Sequence, residues 1–207
     1  MPLSPPKSRQ HLHTREIDLK GYYREDGLFD LEARIVDTKT YTYDAPRTGL
    51  VGSGHPVHDM SIRLSVDHTL TVREVEAVMN VQPYGVCSDV LGNFQALVGL
   101  QMGPGWNKRV RQVIGGVLGC THIGDLLGPL ATVAFQTMGG DYVMELMAKH
   151  RGNEEPVDAE EGMPLMMNGC YAWDISGEIV KEDYPEYYQA AEVEVVNILD
   201  AGDHTGS

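Results

Sequence analysis

Long apolar runs, paired cysteines and a surplus of positive charge are all missing from this sequence, and each absence sets aside a class of protein. No run approaches the ~20 apolar residues of a membrane-spanning helix, and the opening Met-Pro-Leu-Ser-Pro-Pro-Lys lacks the apolar core of a secretory signal. A cytoplasmic protein with no membrane partner is expected. Cys87, Cys120 and Cys170 make an odd and sparse set of three, which suits reduced thiols better than a disulfide scaffold. Lys and Arg number 16 against 30 Asp and Glu, for a formal charge of −14. Such a field repels polyphosphates, so no nucleic-acid partner is expected. There is no Gly-x-Ser-x-Gly elbow, no phosphate loop and no dinucleotide fingerprint; Gly103-Pro104-Gly105 has neither the following spacing nor a preceding strand.

What is present is enough chain for one domain. A chain of 207 residues buries roughly two-thirds to three-quarters of its unfolded surface without covalent staples. Residues 1–14, rich in proline, read as a flexible arm in which His11 and His13 are solvated; 15–190 read as a single domain and 191–207 as a polar tail. Phe29, Leu31, Ala33 and Ile35 alternate with polar residues, which predicts a half-buried strand. Met60, Ile62, Leu64 and Val66 predict another, and Asp67-His68-Thr69 a turn into a third from Leu70. The alternation changes parity after Val72, so either a bulge lies near Arg73-Glu74 in a strand that continues to about residue 80, the favoured reading, or residues 73–80 turn helical. Later spacings of three and four predict helices: a short one holding Phe94, Leu97 and Val98, then one with the stripe Val110, Val113, Ile114, Val117 and Leu118. A core helix follows on Ile123, Leu126, Leu127, Leu130, Ala131, Ala134 and Met138 despite Pro129, and a further piece runs to about His150. Residues 151–161 read as an acidic loop and 169–188 as a small hairpin. The whole is an α+β fold, an antiparallel sheet packed against a layer of helices.

Five blocks carry a family resemblance. They are His55-Pro56-Val57-His58-Asp59-Met60 with Arg63-Leu64-Ser65-Val66-Asp67; Pro83-Tyr84 with Cys87; Gly105-Trp106 with Val110-Arg111; Gly119-Cys120-Thr121-His122; and Cys170 with Ala172-Trp173 and Gly177. As an ordered set over residues 15–188 they resemble the bacterial domain-of-unknown-function family numbered two-eight-eight-nine. The last block of that family has histidine after the cysteine, where Tyr171 stands here. The resemblance implies a domain and no activity; its occurrence in bacteria rich in aromatic catabolism points toward aromatic substrates.

The chemistry concentrates at Gly119–Leu127, where Cys120 and His122 open the core helix. The first reading is cofactor-independent acid/base catalysis. The helix dipole keeps His122 neutral, Asp59 orients its neighbour His58, and Tyr84 donates to a developing oxyanion. Arg63 or Arg111 holds a phenolate or carboxylate, and His55 and Trp106 complete the substrate site. These residues suit a lyase, most naturally a retro-aldol release of a small aldehyde such as formaldehyde from a hydroxylated aromatic substrate. The plain alternative is that His58 caps a strand and His122 hydrogen-bonds the helix start. A second reading is a zinc or iron enzyme whose ligands come from Cys120, His122, His58 and Cys87, although the spacing matches no finger signature. On the first reading no cofactor is expected, and Cys87 and Cys170 are small core residues. A nucleophilic Cys120 ranks third. The non-enzymatic reading is a binding or assembly subunit whose Met144, Met147, Met163, Met166 and Met167 form an adaptable surface; self-association as a homodimer or larger homo-oligomer fits either class.

Overall fold

Period-two patterning dictates the first half of the molecule. In the computed structural model, which describes residues 3–151 and 167–190, the strands β1 (His13–Tyr23), β2 (Phe29–Lys39), β5 (Pro56–Val66) and β6 (Val72–Val81) form one antiparallel sheet in the order β1-β2-β5-β6. Two short strands, β3 (Tyr43–Ala45) and β4 (Gly49–Val51), pair with each other between β2 and β5. Phe29, Leu31, Ala33 and Ile35 are all buried, as are Met60, Ile62, Leu64 and Val66 beside them. Each row lies on the face that the helices cover. The opposite face carries Glu32, Arg34, Ser61, Arg63 and Glu76, with Arg63 paired to Glu32 and Glu76.

The parity change after Val72 is a bulge: Ser65 faces Glu74 and Val66 faces Val72, so Arg73 is the extra residue. Asp67 fixes the turn before it. Its Oδ1 accepts from the Thr69 amide at 2.9 Å and the Thr71 amide at 3.1 Å, and its Oδ2 from Arg73 Nε at 2.7 Å. Strand β6 therefore starts at Val72, two residues later than the alternation alone predicts. Leu70, in the turn, is forced to a φ of 62°.

The predicted short helix is a longer succession of 3-10 turns over Gly85–Leu97, which buries Phe94 and Leu97. Helix α1 (Trp106–Ile114) buries Trp106, Val110 and Ile114 and then stops at Gly115. The stripe read through Val117 and Leu118 is thus too long: Val117 is 94% exposed in a separate 3-10 turn. Glycine ends the helix because Gly115 and Gly116 follow at once, and Gly116 takes a φ of 61°. Helix α2 (Thr121–Met138) is the core helix, with Ile123, Leu126, Leu127, Leu130 and Ala134 buried and Pro129 inside. It lies across β1 and β2. Helix α3 (Asp141–Arg151) completes this part.

The chain divides into two compact units, Met1–Glu154 and Glu155–Ser207. In the second, residues 171–187 form a 3-10 turn, the helix α4 (Glu178–Asp183) and another 3-10 turn. The hairpin expected over 169–188 is corrected by this: Asp174 makes a turn, with the Ser176 amide donating to its Oδ1 at 2.8 Å, and Gly177 then starts α4 as its N-cap. Cys170 is exposed and Cys87 half-buried, so neither is a core residue. The acidic loop of 152–161, Met163, Met166 and the tail of 191–207 lie outside the described residues. Of the other methionines, Met144 is exposed, Met147 packs against the core and Met167 is buried. Among the described residues no helix is long and apolar enough to cross a membrane.

Candidate functional site

The inward row of β2 runs Phe29, Leu31, Ala33, Ile35 and then Asp37, a carboxylate where the pattern calls for another apolar side chain. Its neighbours in the sheet are fixed by register. Arg15 of β1 faces Asp37 on one side and His58 of β5 faces it on the other, so the three form a row across three strands on the covered face. The ladder slips immediately beyond, where Thr38 pairs with Pro56 and Val57 is left over. Such a bulge ends the regular pairing and re-aims the side chains beside it.

Asp37 is 2% exposed and holds four partners among the described residues. Arg15 grips it as a fork, Nε to Oδ1 at 2.8 Å and Nη2 to Oδ2 at 3.0 Å. His13 Nε2 lies 2.9 Å from Oδ1 and His58 Nδ1 3.0 Å from Oδ2. The fourth is His122, in the first turn of α2, with Nε2 3.8 Å from Oδ2 and its ring stacked on His58 at 3.7 Å between centroids. Cys120, the residue before α2, places its Sγ 3.9 Å from His122 Nδ1 and 3.8 Å from Met60 Sδ.

Burial on its own raises the pKa of Asp37, but the bonds from Arg15, His13 and His58 outweigh it and hold the carboxyl at about 2. Burial is also the main influence on both inner histidines and lowers them, offset in His58 by Asp37; in His122 the neighbouring His58 and Arg15 lower it further. A fixed carboxylate thus faces two imidazoles that stay neutral near pH 7. With its Nδ1 proton given to Asp37, His58 keeps Nε2 as an acceptor, the arrangement that makes an imidazole a base.

Of the residues singled out from sequence, His58 and His122 come together. Asp59 does not orient His58: the alternation of the strand turns it to the other face, where Arg34 grips it at 2.8 Å through both Nε and Nη2. Asp37 takes that place. Tyr84 stands before the 3-10 segment, about half exposed, and no hydrogen bond joins it to either histidine among the described residues. Trp106 is buried and donates from Nε1 to the Leu127 carbonyl at 2.8 Å, a bond that ties α1 to α2. Arg63 is on the outer sheet face, and His55 is exposed in the turn before β5. Arg111 lines a groove between α1 and α2 together with Cys120. The residues missed were Asp37 and Arg15, and His13, read as solvated in a flexible arm, instead begins β1 and meets Asp37. The signal for Asp37 was legible, a charge at the next inward position of an apolar strand. Nothing in the sequence tied Arg15 or His13 to it.

Asp37, His58 and His122 are also a group with metal-ligand character, since one donor atom from each lies within 4.8 Å of the others. Neither Cys120 nor Cys87 belongs to it. A family model described as a protein of unknown function (DUF2889) matches residues 13–136, a span that holds every residue of the cluster. No curated protein and no solved structure matches the chain.

Proposed function

Because the chain belongs to this family, whose description assigns no reaction, we propose from the geometry of the Asp37 cluster that the protein is a small-molecule lyase working by acid/base chemistry without a cofactor. One observation carries the proposal: the 3.0 Å bond from His58 Nδ1 to a buried Asp37, beside a second neutral imidazole stacked at 3.7 Å. A base and an acid within one step of each other are what a retro-aldol cleavage requires. His58 Nε2 takes the proton of a substrate hydroxyl, and the electron pair of that O–H bond becomes the C=O of the departing aldehyde. The carbon–carbon bond breaks, its electrons pass into an adjacent carbonyl as an enolate, and the proton now on the imidazole pair returns to the carbon. Arg15 and His13 hold Asp37 in place throughout. The expected substrate is a hydroxylated aromatic compound with a β-hydroxy ketone, which releases formaldehyde.

The test is formaldehyde release from a β-hydroxy aryl ketone such as 3-hydroxy-1-(4-hydroxyphenyl)propan-1-one, which leaves the aryl methyl ketone. Turnover by the wild-type protein and a drop of about 10²-fold or more in His58→Ala, with the fold intact, is expected. Unchanged turnover in that variant removes His58 as the base.

A second reading is a zinc or iron enzyme, favoured by the mutual approach of Asp37, His58 and His122 within 4.8 Å. Two imidazoles and a carboxylate are a donor set that suits first-row divalent ions, and such an ion would supply Lewis-acid activation. Arg15 and His13 compete with it for the oxygens of Asp37. Metal analysis separates the readings: about one equivalent of metal that Asp37→Asn and His122→Ala both lose, with activity abolished by a chelator, selects this one.

A further inference from the structure

The groove between α1 and α2 has a volume of about 480 Å³, and two of its lining residues touch the Asp37 cluster directly. Cys120 is one, 3.9 Å from His122 Nδ1. Asp125 is the other; its Oδ2 lies 3.5 Å from Nη1 of Arg15, the arginine that grips Asp37. Through these two residues the groove adjoins the helix side of the cluster.

Its interior is shaped by what is absent from α2. At Gly128 a Cβ would meet Asn107 Oδ1 at 3.2 Å, so glycine there serves the packing of the two helices. At Gly124 a Cβ would meet nothing within 4 Å among the described residues, although the position lines the groove. Glycine inside a helix weakens it relative to alanine. Helix packing thus explains Gly128 and not Gly124, whose missing side chain leaves open volume next to Cys120. At the far side stands Arg111. Its Nε donates to the Asn107 carbonyl at 3.2 Å, and among the described residues no carboxylate lies within ion-pairing distance of its guanidinium. In a chain of formal charge −14 its guanidinium is a positive group in the groove, while the lining carboxylate of Asp125 faces Arg15 at 3.5 Å.

We propose that this groove is the substrate's seat and selects a flat ring carrying an acidic group: the ring lies over Gly124, the carboxylate or phenolate reaches Arg111, and the reacting carbon is delivered past Cys120 to His122. The proposal rests on the lyase reading for its reaction but not for its binding. A guanidinium recognises a planar anion through paired hydrogen bonds, whereas a neutral amide of the same shape gives no charge to meet.

The experiment is an NMR titration of the full chain with para-hydroxybenzoate and with its neutral amide. The wild-type protein should bind the acid at least about tenfold tighter than the amide, a difference of about 1.4 kcal/mol, with shifts centred on the amides of Cys120 and Gly124. Arg111→Gln should bring the two affinities together. Gly124→Val should weaken both about tenfold or more, and Gly124→Ala, milder and better suited to a helix, should weaken them less while keeping the melting temperature. Equal affinity for acid and amide in the wild-type protein, or binding indifferent to Gly124→Val in a folded variant, overturns the proposal. His58→Ala separates it from the lyase reading: there the acid should still bind although turnover is lost. If formaldehyde release fails in the wild-type protein while groove binding holds, it is the reaction that is wrong and not the seat.

Discussion

A carboxylate with 3% of its side chain exposed, under a guanidinium and beside three imidazoles, stays ionised far into acid, and Asp37 does so with a carboxyl at about 2 against the ordinary 3.8. The unfolded chain therefore takes up this proton first as the pH falls. The stability that Asp37 contributes, about 2 kcal/mol, is complete above about pH 4 and is lost between about pH 4 and 2. Acid unfolding followed by circular dichroism should show this loss, and Asp37→Asn should show little of it. The histidines act with the same sign but nearer neutral pH. Both titrate below the ordinary imidazole value, so the unfolded chain protonates first below about pH 6.5 and stability declines there too. For the proposed reaction the acid limb of kcat/KM should accordingly fall below pH 6.5. Asp37→Asn removes the partner that fixes the His58 tautomer and should lower kcat/KM by about 10²- to 10⁴-fold. A variant with its full rate and an unmoved profile would assign Asp37 to folding alone.

Elements position these residues through register and close approach. A shift of one residue in the β2–β5 ladder would send His58 to the outer face and bring Asp59 inward. What holds α2 over the row includes a glycine: a Cβ at Gly21 of β1 would stand 1.8 Å from Thr137 Oγ1 and 2.8 Å from its Cβ and Cγ2. Thr137 is itself fixed by a bond to the Val133 carbonyl at 2.7 Å. Gly21→Ala should therefore cost about 1–3 kcal/mol in urea denaturation, and Thr137→Ala in the same chain should recover part of it through a measurable coupling. A Gly21→Ala protein as stable as wild type would mean that α2 moves aside easily. Helix α2 also continues through Pro129, which leaves the Asp125 carbonyl without its helical donor. Asp125 and Pro129 are both exposed, so water can serve that carbonyl.

At the scale of the whole molecule, the sheet, the Asp37 cluster and the family match over 13–136 all fall within the unit Met1–Glu154. A fragment of residues 1–154 should fold by itself, with a dispersed NMR spectrum and the His58 and His122 resonances where they are in the full chain; a collapsed spectrum would show that the second unit is required. Much of this unit was legible beforehand. Alternation of apolar residues determined β2 and β5, because burial on one face is a local constraint repeated every second residue; after Val72 the parity change allowed a bulge or a helix, and pairing with β5 made it the bulge at Arg73. Spacing of three and four determined the buried stripe of α2 in the same way. The pattern was less informative where glycine overrides it, as after Ile114, and where a turn and a helix share one composition, as over 169–188. The sequence by itself also singled out His58 and His122, one in a His-Pro-Val-His-Asp run and one at a predicted helix start, and the fold brings their rings together. Only the tertiary structure decided that their partner is Asp37 and not the adjacent Asp59. Neighbours in a strand face opposite ways, and residues 21 apart in the chain share a face when register sets them opposite.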